Sequence, residues 1–192
     1  VAPTPGLHAT LGFLGAAGLG AAVRFDLAAG IERGDRVVLV DVADESTTEP
    51  APGTSLAVFG GPPDRPETTH WEQELWSENP GMPPSAVGPD DPVLRAAEGG
   101  DTADGGDVSH RALLGAAASV VEERDIGTGD RVVLRGDLAD PRGLAAGVVA
   151  PLMAGATAVL AGEGPAAEGP TVTVEGSDGD PRPVSLPAVD GE

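Results

Sequence analysis

Segments with the apolar spacing of helices alternate in this chain with short runs rich in valine and leucine. The helical segments start near Leu7, Ser109 and Asp140. The strand-like runs are residues 36–42, Ser55–Phe59, residues 131–134 and Thr157–Leu160. Alternating helices and strands are typical of an α/β domain with helices packed on the sheet. We therefore expect an α/β fold with a layered, largely parallel sheet and flanking helices.

Apolar residues at helical spacing predict which side of each helix is buried. The first helix is predicted over Leu7–Gly18. The second is capped by Ser109, and the third starts at Asp140-Pro141 and ends at Gly155. The expected buried positions are Leu7, Leu11, Leu14 and Ala17 in the first helix, Leu113, Leu114, Ala117, Val120 and Val121 in the second, and Leu144, Val148, Leu152 and Met153 in the third. A fourth, short helix is predicted over residues 70–77.

One nine-residue pattern occurs twice. Residues 31–39 read IERGDRVVL, and residues 126–134 read IGTGDRVVL. Each copy predicts a turn that leads into a strand. Two copies do not establish a repeat fold, because a repeat array needs about three or more units.

The chain divides by composition into residues 1–162 and residues 163–192. The first part contains the alternating helices and strands and is predicted to be the α/β domain. The second part is acidic and rich in proline and glycine, with one possible edge strand at Thr171–Glu175. We therefore expect a single partial domain followed by a tail.

Charge excludes several classes of function. The chain has 192 residues, with 31 Asp and Glu against 11 cations, all of them arginine, and a formal net charge of -20. Such self-repulsion is tolerated when salt screens it, which predicts a halophilic, cytoplasmic protein. A disordered acidic chain would have the same charge, but 40% hydrophobic residues in periodic blocks argue against it. Nucleic-acid binding needs a basic face, so no nucleic-acid partner is expected.

Cysteine and long apolar segments are both missing from the sequence. Without cysteine there is neither a disulfide framework nor a thiolate metal site. No segment approaches the ~20 apolar residues of a membrane span, so no membrane partner is expected.

Four motifs between Asp91 and Leu160 occur in a recognisable order. They are Asp91-Pro92, residues 108–114 (VSHRALL), residues 129–132 (GDRV) and residues 150–160 (APLMAGATAVL). In this order and spacing they resemble the N-terminal domain of the AMP-forming acyl-adenylate synthetases, the AMP-dependent synthetase/ligase family. The interval from Asp91 to His110 is two residues shorter than is usual in that family. The resemblance implies that the chain is part of this domain, truncated and altered.

The resemblance also identifies a vestigial phosphate loop. In the family a glycine-rich loop holds the ATP phosphates through backbone N–H groups, hydroxyls and a lysine. Its counterpart here is residues 98–106, and the positions retained are Gly99, Gly100, Thr102, Gly105 and Gly106. Glu98, Asp101 and Asp104 place carboxylates where a polyphosphate would lie. The chain has no lysine for this loop, and it has no counterpart of the family's C-terminal domain, which supplies the adenylation lysine. ATP and Mg²⁺ are therefore not expected as cofactors.

Three other groups of residues have simpler explanations than chemistry. Ser109 beside His110 resembles a nucleophile and a base, but an N-cap accounts for the serine. His70, Glu74 and Glu78 share a helix face that could bind a metal, yet a salt-adapted surface helix is also rich in glutamate. Trp71 is expected to pack a helix on the sheet rather than to stack on a ligand. No catalytic or metal-binding residue is predicted.

The resemblance leaves three functions open. The first is a non-catalytic remnant of the synthetase domain, a pseudoenzyme or binding module for a nucleotide or acyl ligand. The second is an assembly protein, whose sheet is completed by a protein partner or by a homo-oligomer. The third is an adenylating enzyme completed in trans by a chain that carries the missing lysine.

Overall fold

The computed structural model describes residues 1, 6–28, 30–77, 81, 85–95, 106–136, 138–161, 171–175 and 181–189. Helices and strands alternate in this part of the chain, as the sequence predicts. The helices are α1 (Leu7–Gly18), α2 (Trp71–Ser77), α3 (His110–Arg124), α4 (Pro141–Leu144) and α5 (Ala150–Ala154). The strands are β1 (Val37–Asp41), β2 (Ser55–Phe59), β3 (Thr69–His70), β4 (Pro92–Leu94), β5 (Val108–Ser109), β6 (Arg131–Arg135), β7 (Thr157–Leu160), β8 (Thr171–Glu175) and β9 (Pro181–Val184).

The strands form three sheets rather than one. In the first sheet, β1, β2 and β3 are parallel neighbours. The second is the antiparallel pair of β4 and β5. The third has the order β7-β6-β8-β9, in which β6 and β7 are parallel and β8 is antiparallel to both β6 and β9. The α/β class is thus confirmed, whereas parallel pairing among the described residues is found in the first sheet, in the β6–β7 pair and at an isolated bridge between Val23 and Leu94.

The predicted tail contributes strands to the third sheet. β8 has the predicted bounds, but it lies between β6 and β9, so its predicted edge position is wrong. β9 was not predicted, because Pro181 and Pro183 argue against a strand; it lies at the edge, where proline is tolerated. Few residues separate β8 from β9, and a parallel pair would need a connection of a dozen or more. Val172, Val174, Val184 and Val189 belong to the main apolar core.

The main core lies between the helices and the second and third sheets. The predicted cap of α3 is confirmed, since the Ser109 Oγ accepts a hydrogen bond from the Ala112 N–H at 3.2 Å. On α3, Leu113, Ala117 and Val120 are buried as predicted, whereas Leu114 is exposed. A second, smaller cluster lies on one face of the first sheet and consists of Val38, Val40, Leu56 and Val58, with Leu27, Ile31 and Val42 packed against them.

A π-helical turn at Ala145–Val149 joins α4 to α5 and changes which residues face inward. A wider turn shifts the phase of every position that follows it. Val148, within the turn, is buried as predicted. Leu152 and Met153, which follow it, are each 50% exposed, so their predicted burial is wrong. The helix crosses β6 so closely that a Cβ on Gly147 would lie 2.7 Å from the Leu134 Cβ.

Helix α1 has the predicted bounds, but the opposite face is buried. Ala9 and Phe13 enter the main core, whereas Leu7, Leu11 and Leu14 are exposed. The reason is the short distance between α1 and β1. A Cβ on Gly12 would lie 2.9 Å from the Leu39 Cδ2, so a side chain larger than hydrogen does not fit at this position.

Within the described residues, none of the helices has the length and apolar character needed to cross a membrane.

Candidate functional site

A cleft of about 480 Å³ lies between α1, the segment that follows it and the first sheet. Leu39 and Ala57 from β1 and β2 form part of its wall, and Gly12 and Ala16 of α1 face them. Val23, Leu27 and Ile31 add apolar surface from the connecting segment. Trp71, at the start of α2, also lines the cleft. A concave, mostly apolar site with a few polar groups is the usual form of a small-molecule site.

The segment between α1 and β1 is held in place by a half-buried ion pair. Arg24 Nη2 donates to Asp35 Oδ2 at 2.8 Å and to the Gly30 carbonyl at 2.9 Å. The Glu32 N–H also donates to Asp35 Oδ2, at 2.8 Å. Burial raises the pKa of Asp35. The hydrogen bond from the Glu32 N–H and the Arg24 guanidinium together lower the pKa by more than burial raises it, so the pKa lies below its ordinary value. Arg24 and Asp35 therefore support the cleft wall.

The second copy of the nine-residue pattern folds into the same turn. There the Gly127 N–H donates to Asp130 Oδ2 at 2.9 Å, and Arg182 Nη2 lies 3.7 Å from Asp130 Oδ1. Both copies lead directly into strands, β1 and β6, which confirms the predicted turn-to-strand reading. Asp35 and Asp130 thus serve one local structural purpose, which is to close the turn before a strand.

The two copies differ at the arginine that follows the aspartate. Arg131 lies 3.8 Å from Glu175 of β8, whereas Arg36 lines the cleft. Six of the 11 arginines form ion pairs with carboxylates in the described segments. Arg36 and Arg95, which both line the cleft, have no ion pair to any described residue.

The charge around the cleft is opposite to that of the chain. Among the described residues that line it, Arg24, Arg36 and Arg95 stand beside Asp26 and Asp35, so three cations meet two carboxylates there. In the whole chain, 11 cations meet 31 carboxylates. The cleft is therefore a cationic site in a strongly acidic protein, and it suits an anionic group with an apolar body. The sequence did not identify Arg36 and Arg95 as site residues. The one available signal was that arginine is rare in so acidic a chain, so that arginines close together in the structure are informative.

A second polar cluster joins α1 and α2 at the carboxyl end of the first sheet. The Gly60 N–H, just after β2, donates to Glu72 Oε1 at 2.7 Å. His8 Nε2 lies 3.3 Å from Glu72 Oε1, and His70 Nε2 lies 3.4 Å from Glu72 Oε2. Burial raises the pKa of Glu72, but the Gly60 N–H and the two histidines lower it more, so the net pKa is below its ordinary value.

Aromatic contacts connect this cluster to the cleft. His8 stacks on Phe59 with ring centroids 4.4 Å apart, and Trp71 meets His8 edge-on at 5.3 Å. Trp71 therefore both packs on α1 and lines the cleft. His70 faces Glu72 rather than Glu74, which is exposed, and Glu78 lies outside the described residues. Across the described segments, no three His, Cys, Asp or Glu side chains are arranged to hold a metal ion.

The predicted phosphate loop lies almost wholly outside the described residues. Gly99, Gly100, Thr102 and Gly105 belong to that part, as do the carboxylates of Glu98, Asp101 and Asp104. Gly106 is described and is half-buried just before β5. In the sequence, the loop begins three residues after Arg95, which lines the cleft.

Comparisons of this chain with protein-family models, with curated proteins and with solved structures find no match.

Proposed function

We propose that this chain is a non-catalytic binding module that holds an acyl ligand with an anionic head group in the cleft. The observation that carries the proposal is the pair of arginines, Arg36 and Arg95, at an apolar cleft in a chain of net charge -20. A guanidinium binds a carboxylate through two parallel hydrogen bonds, and the apolar wall would cover the acyl chain. Arg24 is already paired with Asp35 and so contributes less to the ligand.

We infer that the module is a remnant of an acyl-adenylate synthetase domain. The motifs behind the resemblance lie on β5 and the start of α3, on the turn before β6, and on α5 with β7. Their order on successive helices and strands supports the proposal. An acyl ligand is also the substrate class that the resemblance implies.

The module is proposed to be non-catalytic because its chemistry for phosphate is missing. The chain has no lysine, so no lysine can occupy the phosphate loop. Glu98, Asp101 and Asp104 in the same loop would repel a polyphosphate, since two like charges ~5 Å apart cost about 3 kcal/mol at an effective dielectric of 20. ATP and Mg²⁺ are accordingly not part of the proposed function.

We further infer that the protein works in a salt-rich cytoplasm. Support comes from the net charge of -20 and from the exclusive use of arginine as the cation. Among the described residues, the ion pairs with arginine, such as the one between Arg111 and Asp90 at 2.8 Å, involve a minority of the carboxylates, and solvent ions would screen the others.

The test of the proposed function is calorimetric titration with octanoate, with octanol and with ATP. We expect saturable binding of octanoate, weaker binding of octanol, which lacks the carboxylate, and no binding of ATP. Gly34→Phe should abolish octanoate binding, because Gly34 lines the cleft and a Cβ there meets only open space. Gly129→Phe is the matched control, since Gly129 has the same place in the second copy and equally open surroundings.

Two results would contradict the proposal. Equal octanoate affinity of the Gly34→Phe and Gly129→Phe variants would place the ligand outside the cleft. Exchange of pyrophosphate into ATP in the presence of a carboxylic acid would show an active adenylating enzyme, the third function that the sequence leaves open.

A further inference from the structure

The cleft runs along one edge of strand β1. Residues 36–39, four in succession, line it. Successive side chains of a strand point to opposite faces of the sheet, so four in a row meet one cleft only where it follows the edge of the strand. The contacts on the two faces agree with this position. Leu39 lies against Gly12 of α1, whereas Val38 belongs to the cluster on which Ile31 packs, and both Gly12 and Ile31 line the cleft.

Hydrogen bonds to β2 show which backbone groups of β1 face the cleft. The Ser55 N–H donates to the Arg36 carbonyl at 2.9 Å, and Val37 lies opposite Ser55 in the parallel pair. Backbone groups of successive residues point to alternate sides of a strand, so the N–H and C=O of Val37 and Leu39 point away from β2. Among the described residues, no strand pairs with β1 on that side, and none forms a hydrogen bond with the Val37 backbone.

An unpaired strand edge selects a ligand that contains an amide. Its N–H and C=O groups bond the main chain of an extended segment that lies alongside it. The cleft, at about 480 Å³, has the size of a small-molecule site rather than of a surface for a folded partner. Arg36 directly precedes Val37, the first residue of β1. A ligand whose carboxylate lies at Arg36 therefore places its next polar group beside the unpaired backbone of Val37.

We propose that the ligand of the cleft is an N-acyl amino acid, which lies antiparallel to β1 with its amide N–H donating to the Val37 carbonyl. Residues that face each other in this way exchange two hydrogen bonds, so the ligand carboxylate accepts from the Val37 N–H and also from Arg36. The acyl chain then runs past Leu39 and along α1. The inference rests on the proposed function, because it specifies the acyl ligand of the same site. A fatty acid would occupy the cleft but would leave the Val37 carbonyl unpaired.

Three carboxylates of equal chain length test the inference by calorimetric titration in molar KCl. They are octanoate, N-pentanoylglycine and the ester in which an oxygen replaces the N–H of N-pentanoylglycine. We expect the amide to bind about tenfold more tightly than the ester, because the ester leaves the Val37 carbonyl without a donor. Equal affinities of amide and ester would overturn the inference, while saturable binding of octanoate would still support the proposed function. Failure of all three to bind would contradict both.

A substitution at Val37 tests the same contact from the protein side. Val37→Pro removes the N–H that the carboxylate accepts, and proline is tolerated at the first residue of an edge strand. Val37→Ala is the matched control, since it keeps the N–H and shortens a side chain that is 59% exposed. We expect Val37→Pro to bind N-pentanoylglycine about tenfold more weakly than Val37→Ala, with an unchanged circular dichroism spectrum. Equal affinities of the two folded variants would overturn the inference. If the proline variant does not fold, the comparison of amide with ester decides the question without it.

Discussion

Arg36 and Arg131 occupy the same position in two copies of one sequence pattern, yet their surroundings differ. Arg131 is paired with Glu175, a residue about forty positions further along the chain, whereas Arg36 faces the cleft. Local sequence predicts the turn and the strand that follow, because Asp35 and Asp130 bond their own turns. It does not predict the partner of the arginine, because strand β8 supplies that partner only through tertiary pairing.

Substitutions of Asp140 can separate two contributions to the free energy of unfolding, that of its charge and that of its role as the N-cap of α4. Its carboxylate accepts from the Arg142 N–H at 2.8 Å and from Arg142 Nη2 at 2.7 Å. Burial raises the pKa of Asp140. The Arg142 side chain and N–H together lower the pKa by more than burial raises it, so the pKa is below the ordinary 3.8. A carboxyl group with a lowered folded pKa stabilises the fold above its unfolded pKa and loses this effect as the pH falls through the folded pKa.

We therefore expect Asp140→Asn to be less stable than wild type at pH 7, although asparagine still caps the helix. The difference should shrink as the pH falls below 3.8, the ordinary pKa of the group. Asp140→Ala, which also removes the cap, should lose about 1 kcal/mol more, and this loss should persist in acid. Urea unfolding at pH 7 and at a pH below 3.8 measures these differences. The control is Asp107→Asn, an exposed carboxylate that changes the net charge equally. A constant difference for Asp140→Asn at all pH values would contradict the expectation.

Bounds of helices and strands followed from the sequence more reliably than the direction in which their side chains point. The bounds of α1, β2, β7 and β8 are confirmed to the residue. The buried face of α1 was not predicted, since the close approach of Gly12 to Leu39 turns the face with Ala9 and Phe13 inward and leaves the leucine face outside. The burial of Leu152 failed for a different reason, the π-helical turn before it. Both errors come from packing between elements, which helical periodicity does not contain.

The two helical glycines Gly147 and Gly115 test the packing of these elements. A Cβ at Gly147 would lie 2.7 Å from the Leu134 Cβ, so Gly147→Ala should destabilise the protein by about 1–3 kcal/mol through overpacking. At Gly115 on α3 a Cβ meets nothing within 4 Å, so Gly115→Ala should stabilise by up to about 1 kcal/mol through helix propensity. Denaturant unfolding in molar KCl compares them. Stabilisation by both substitutions would show that α4 and α5 do not cross β6 as closely as described.

The location of the cleft was not predicted, and the nucleotide or acyl ligand stays a prediction. The resemblance to the synthetase family predicts a phosphate loop at residues 98–106, because the glycines and the threonine of that loop lie in one continuous segment of the sequence. The cleft is assembled from α1, β1, β2, the start of α2 and Arg95, which lie far apart in the chain. Such a site has no local signature. Its arginines become informative only when the structure shows which of them have carboxylate partners.

The net charge predicts that the stability of the whole molecule depends on salt. A charge of -20 on 192 residues repels itself unless it is screened. The Debye length increases from roughly 3 Å in molar salt to about 10 Å at 0.1 M. We therefore expect the melting temperature to fall as KCl is reduced over this range, with cooperative unfolding near its lower end. An unchanged melting temperature, measured by circular dichroism, would contradict the proposed high-salt adaptation.

Tryptophan fluorescence can locate the ligand within the molecule. Trp71 lines the cleft, and Trp76 is 89% exposed. Because the chain has two tryptophans, Trp76→Phe leaves Trp71 as the only reporter. In this background, octanoate should change the Trp71 emission saturably in molar KCl.

The decisive comparison adds Arg36→Gln or Arg131→Gln to the Trp76→Phe variant. A hydrogen-bonded charge pair contributes about 1.5–3 kcal/mol, so Arg36→Gln should weaken octanoate binding by about tenfold or more. Arg131→Gln, the same change at the equivalent position outside the cleft, should leave the affinity unchanged. Equal affinities for the two variants, or octanoate binding with no change in Trp71 emission, would show that the cleft is not the acyl site.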